Sequence, residues 1–103
     1  MNYPPQYDHE FGGSQYLENI VKKYGILKDG EYYIHRSDVR ELAEPIWVKL
    51  IDIKPRFKNV LEEEFKILWD LYDPWVTKEI KINQLQEFLT KLSNIIALMF
   101  RRL

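Results

Sequence analysis

The chain has no cysteine, which excludes disulfides, thiolate metal sites and cysteine nucleophiles and suits an intracellular, reducing compartment, the cytoplasm first. Long apolar runs are also missing. No window reaches the ~18 apolar residues that a membrane span needs, and the opening MNYPPQYDHEFGGS lacks the basic start and apolar stretch of a signal peptide. Charge of one sign is absent too. Residues 1–52 carry nine acids against six bases and the remainder seven against nine, giving −3 and +2 within a net −1. Neither half has the basic excess of a nucleic-acid footprint. No glycine-rich phosphate loop, nucleophile elbow or paired-carboxylate constellation can be placed, so a non-enzymatic chain without a cofactor is expected. The two histidines, His9 and His35, stand isolated in unrelated segments.

What is present is the material of a core. Apolar residues make up 46 % and aromatics 15 %, with three Trp, seven Tyr and five Phe, while charged residues make up 30 %. That is the composition of a folded chain. A total of 103 residues leaves room for one domain.

Residues 1–13, with two prolines, two glycines and Tyr3, Tyr7 and Phe11, read as an extended arm, and residues 14–103 as a single helical domain. Ser14 can cap a first helix through Tyr16, Leu17, Ile20, Val21 and Tyr24, stopped by Gly25. Asp29-Gly30 makes a turn, and Tyr32 to Ile34 a short strand. Ser37 can cap a second helix carrying Val39, Leu42, Ile46, Leu50 and Ile53, which Pro45 should kink or split. Pro55 suits the first turn of a third helix, on which Phe57, Val60, Leu61, Phe65, Leu68, Trp69 and Tyr72 keep the i, i+3, i+4 rhythm of a core face. The alternation in Glu79 to Ile82 predicts a second strand. Asn83 with Gln86 makes a capping-box pattern for a last helix through Leu85, Phe88, Leu89, Leu92, Ile96, Met99 and Leu103. The expected class is mainly α, with four to five helices and two short strands.

The stretch LWDLYDPWVTKEIKINQLQEFL, Leu68 to Leu89, carries a more specific pattern. Trp69 and Tyr72 stand four and one residues before Asp73, Ile80 is eighth counting from Asp73, and Gln84 is twelfth, followed by Leu85, Phe88 and Leu89. In these positions the stretch resembles an EF-hand, a helix–loop–helix in which aromatics precede the first ligand and a β-branched residue at position eight pairs with a twin loop. The chemistry departs from that pattern. Calcium takes 6 to 8 oxygens, with a bidentate acid at position twelve and Gly at position six. This loop offers Asp73, Trp75, Thr77 and Gln84, with Lys78 where Gly belongs, so no metal is expected to bind.

A fainter copy lies in KDGEYYIHRSDVREL, where Ile34 falls at position eight and Asp38 at twelve, followed by Val39 and Leu42. Its opening half departs from the pattern, because Leu27 stands at position one. The resemblance, over Phe65 to Leu92 and faintly over Tyr24 to Leu42, is to the non-calcium-binding branch of the EF-hand superfamily. It is similar both to the hands in the cytoplasmic tails of voltage-gated channels and to those of myosin light chains. This implies an EF-hand-pair-like fold with Ile34 pairing Ile80. It also implies a calcium-independent scaffold or accessory subunit of a larger assembly, binding an amphipathic helix of a partner.

Three further features enter the reading. Glu62 to Glu64 fan across about 200° of a helix and form a solvated face rather than a metal cluster. NIIALMFRRL at the end of the chain holds six apolar residues in succession, Ile95 to Phe100. One face can pack on the domain, leaving Ile95, Leu98, Met99 and Phe100 as a patch for a protein partner or a second copy, or for covering by the arm; a membrane surface is disfavoured because the polar face is not strongly basic. The alternative function is a small winged-helix or helix-turn-helix domain with His35, Arg36, Arg40 and Lys49 on phosphates. Asp38, Glu41 and Glu44 on the same helix oppose it.

Overall fold

A computed structural model describes residues 14–102; the arm expected over residues 1–13, with Tyr3, Tyr7, His9 and Phe11, lies outside the described residues, as does Leu103. The fold is mainly α. Four helices, α1 (Ser14–Tyr24), α2 (Arg36–Ile53), α3 (Phe57–Tyr72) and α4 (Ile82–Phe100), surround strands β1 (Ile26–Lys28), β2 (Glu31–His35) and β3 (Glu79–Lys81). The strands form one antiparallel sheet in the order β1-β2-β3.

The sheet contains one strand more than the two expected. Asp29 and Gly30 both take positive φ, 50° and 80°, as the two-residue turns that match strand twist require, and they join Lys28 directly to Glu31. Ile26-Leu27-Lys28 therefore pairs with β2 instead of running on as loop. Helix α1 ends at Tyr24, and the next residue has to be glycine: Gly25 donates its N–H to the Val21 carbonyl at 2.9 Å, and a Cβ there would lie 2.6 Å from that oxygen. On the other side of β2, Ile34 and Ile80 are register partners, and both are buried.

Other expectations shift in register. Pro45 neither ends nor splits α2, which is one helix from Arg36 to Ile53. Pro45 is exposed, so the carbonyl that loses its N–H partner faces water, while Val39, Ala43, Trp47 and Leu50 tie both halves to the same core. The cap of α2 is His35 rather than Ser37: its Nδ1 accepts from the Ser37 N–H at 3.1 Å. Pro55 lies in the turn before α3, where its carbonyl accepts from the Lys58 N–H. Helix α4 starts at Ile82, earlier than the Asn83–Gln86 pattern places it, and Gln84 takes the capping role by accepting from the Lys81 N–H at 3.2 Å.

Helices α3 and α4 run antiparallel, because the end of α3 meets the start of α4. Phe65, Trp69 and Tyr72 all pack on Phe88, with centroids 5.3, 5.8 and 5.5 Å away. Trp47 of α2 closes this cluster edge-on to Phe65, and Arg36 lies over the Phe65 and Trp69 rings. Below the rings, Leu61, Leu85, Leu89, Leu92 and Ile96 continue the core along the helix pair. None of the helices among the described residues is long and apolar enough to cross a membrane.

Candidate functional site

The loop between α3 and β3 is organised by one carboxylate. Asp73, at 6 % exposure, is the one buried charged residue among those described. Its Oδ1 accepts from the Thr77 N–H and hydroxyl, both at 2.8 Å, and its Oδ2 from the Lys78 N–H at 2.8 Å and the Trp69 indole at 3.1 Å. The Glu79 carbonyl competes for the Thr77 proton from farther away, 3.1 Å. An ionised carboxylate has about four acceptor positions, and here each has a donor. Burial by itself would raise the Asp73 carboxyl, but the donors from Thr77, Lys78 and Trp69 outweigh it and hold the pKa below its ordinary value.

The remaining loop positions follow from that anchor. Lys78, sixth from Asp73, takes φ +66°, the left-handed conformation for which glycine is the easiest residue. Its carbonyl accepts from the Arg36 N–H at 2.8 Å, tying the loop to the start of α2. Thr77 is spent on Asp73 and Gln84 on the α4 cap. Trp75 points away, 86 % exposed, beside Val76 at 73 %. The structure thus gathers Asp73 and Thr77 but not Trp75 or Gln84 around one point. Among the described residues no group of three or more His, Asp or Glu side chains is placed to hold a metal ion.

At the far end of the α3–α4 pair the helices part. Phe57 and Val60 of α3 face Ile95, Leu98 and Met99 of α4 across a groove of 410 Å³, with Glu64 and Arg102 completing its walls. Three of the four residues expected as a terminal patch therefore line one concavity. Two details differ from the expectation. Ile95 and Met99 are half-buried against the core instead of standing free, and Phe100, though exposed, is not in the groove wall. The spacing along α3 predicts Phe57 and Val60 on its core face. In the structure Val60 shares the exposed face of α3 with Ile67 and Leu71, off the buried ladder Leu61, Phe65, Leu68, Trp69.

Three of the four residues expected on phosphate in the alternative reading, His35, Arg36 and Arg40, are engaged within the domain, while Lys49 is exposed. The Arg40 guanidinium binds Glu44 and Glu62 and lies 4.2 Å from the Trp47 ring centre, and His35 caps α2. The Arg40 hydrogen bonds hold both glutamates below the usual carboxylate range. No protein-family model, curated protein or solved structure matches this chain.

Proposed function

We propose that this chain is a non-enzymatic protein-interaction module, a scaffold or accessory subunit, built as a degenerate EF-hand pair that takes an amphipathic helix from a partner without calcium. The observation that carries the reading is the groove: a folded domain with a closed aromatic core leaves Phe57, Val60, Ile95, Leu98 and Met99 lining an open apolar cleft between two helices. Helix-sized apolar grooves between helices are a recurrent means of binding peptide helices. The EF-hand part rests on the Ile34–Ile80 pairing and on the left-handed turn six residues into the second loop. Independence from calcium is supported by Asp73, whose acceptor positions already serve the protein's own donors, and by Gln84, which caps a helix where a bidentate acid would be needed.

Two measurements test this. Calorimetric titration with calcium should give no binding heat at physiological levels; a micromolar affinity would refute the metal-independent part. Amide NMR during addition of an amphipathic helical peptide should move the resonances of Phe57, Val60, Leu98 and Met99. Shifts confined to another face would refute the groove.

A further inference from the structure

The groove has an electrostatic polarity, and resting on the interaction-module reading we propose that its partner is an acidic amphipathic helix, with carboxylates at the end that meets Arg56 and Arg102. Because α3 and α4 are antiparallel, the start of α3 and the end of α4 share one end of the groove. There Arg102 forms part of the wall, and the Arg56 guanidinium lies over the Phe57 ring, 5.9 Å from its centre. Arg101 precedes Arg102 in the chain. All three arginines are exposed, and the ion pairs of the described residues lie elsewhere, at Lys28, Arg40, Lys66 and Lys81. Lys58 does not belong to this group, since it acts on Glu44 and Glu62.

Helix α3 has no acidic residue in its first turn and no capping side chain at Arg56, but the negative end of α4 lies at the same end of the groove, so the two helix ends offset each other and the arginines set the sign. Farther up the groove the one lining carboxylate is Glu64, without an ion-pair partner among the described residues. A partner helix with acids at one end and an apolar face along its length meets the charges of Arg56 and Arg102 and leaves Glu64 to solvent, whereas a basic helix would set cations against Arg56 and Arg102. A flat bilayer fits less well, because the apolar side chains line a concavity between two helices rather than a projecting face.

The test uses the full chain and two designed peptides that share one leucine face, one carrying glutamates and the other lysines at its polar positions. We expect the glutamate peptide to bind about tenfold tighter at low salt, as a few exposed charge contacts allow, with the preference shrinking as salt screens it. The double variant Arg56→Glu/Arg102→Glu should reverse the order, with shifts still mapping to Leu98 and Met99. Equal or tighter binding of the lysine peptide overturns the polarity and leaves the groove reading standing. Binding of neither peptide at these residues overturns both. Binding of phosphatidylserine vesicles without either peptide makes the face a lipid surface and overturns the proposal. So does a shift of the Leu98 and Met99 resonances caused by Asp8→Lys/Glu10→Lys in the absence of peptide, because the chain's own N-terminal residues would then be the occupant.

Discussion

At the sheet end of the α3–α4 pair, Phe65, Trp69, Tyr72 and Phe88 close on one another, while at the other end Phe57, Val60, Ile95, Leu98 and Met99 face each other across a groove. Both ends are apolar, so composition does not separate them. What differs is the third element. At the closed end α2 contributes Trp47 and Arg36, and the paired strands contribute Ile34 and Ile80. At the open end α2 has run out, and its last residue, Ile53, is exposed. Two antiparallel helices bury only the seam between them, and a further layer decides whether the rest becomes core or surface.

The sharpest way to break this comparison is to shorten one side chain at each end. Phe88→Ala removes a fully buried ring that touches three others and should cost about 3–5 kcal/mol in urea denaturation. Leu98→Ala should stay within about 0.5 kcal/mol of the parent. Similar costs at the two ends would mean that the groove is packed and the distinction fails.

A smaller effect probes how the closed end is locked. Asp73→Asn keeps the size of the side chain but replaces acceptor oxygen with an NH₂ group that faces donors, so at least one buried N–H is left without a partner. The expected loss is about 2 kcal/mol at neutral pH. The sign of the pH dependence follows from the lowered pKa. The folded state binds this proton less readily than the unfolded chain, so the contribution of Asp73 is complete above its ordinary value of 3.8 and is lost as pH falls through the folded value. Glu44 and Glu62 shift the same way, but Glu44 is exposed and Glu62 half-exposed, where ion pairs contribute little. Denaturation curves below about pH 4 should therefore be flatter for the Asn variant. A parallel acid profile would remove Asp73 as the lock.

The two ends were unequally legible in the sequence, and for the same reason. The helices, the Asp29-Gly30 turn, the second strand and the aromatic ladder of α3 are local patterns, and the structure places them within a few residues of where periodicity and turn chemistry do. The spacing of Val39, Leu42, Ile46, Leu50 and Ile53 does not point to Trp47, whereas tertiary packing keeps Val39 and Leu50 and adds Ala43 and Trp47 to the buried face. Strand β1 was missed although Ile26-Leu27-Lys28 before Asp-Gly is a hairpin signal. The terminal patch could be suspected from six consecutive apolar residues, but its opposing wall could not. Whether Val60 is core or rim depends on where α2 ends in space, which no spacing along α3 records.

Val76 offers a test of opposite sign within the closed end. A β-branched residue at φ +55° is strained, and its side chain is exposed, so there is little packing to offset the cost. Val76→Gly should raise stability by about 1 kcal/mol, read as a higher urea midpoint with an unchanged slope. A loss instead would show that the Val76 side chain makes contacts that hold the loop.

A small change in stability should accompany the largest change in association. Leu98 is 51 % exposed at the centre of the α4 wall, so Leu98→Asp buries no charge, and its cost is limited to helix propensity and an acid placed in the last turns of α4, under about 1 kcal/mol together. The far-UV helical signal should be intact. A carboxylate at that position nevertheless meets any apolar face that enters the groove, and an unpaired charge desolvated at an interface costs far more than the same charge in water. Binding of the glutamate peptide should fall below detection by NMR, and any self-association of the parent chain seen by sedimentation should disappear with it. Unfolding would assign Leu98 to the core and close the groove; unchanged binding in a folded variant would place the interaction on another face.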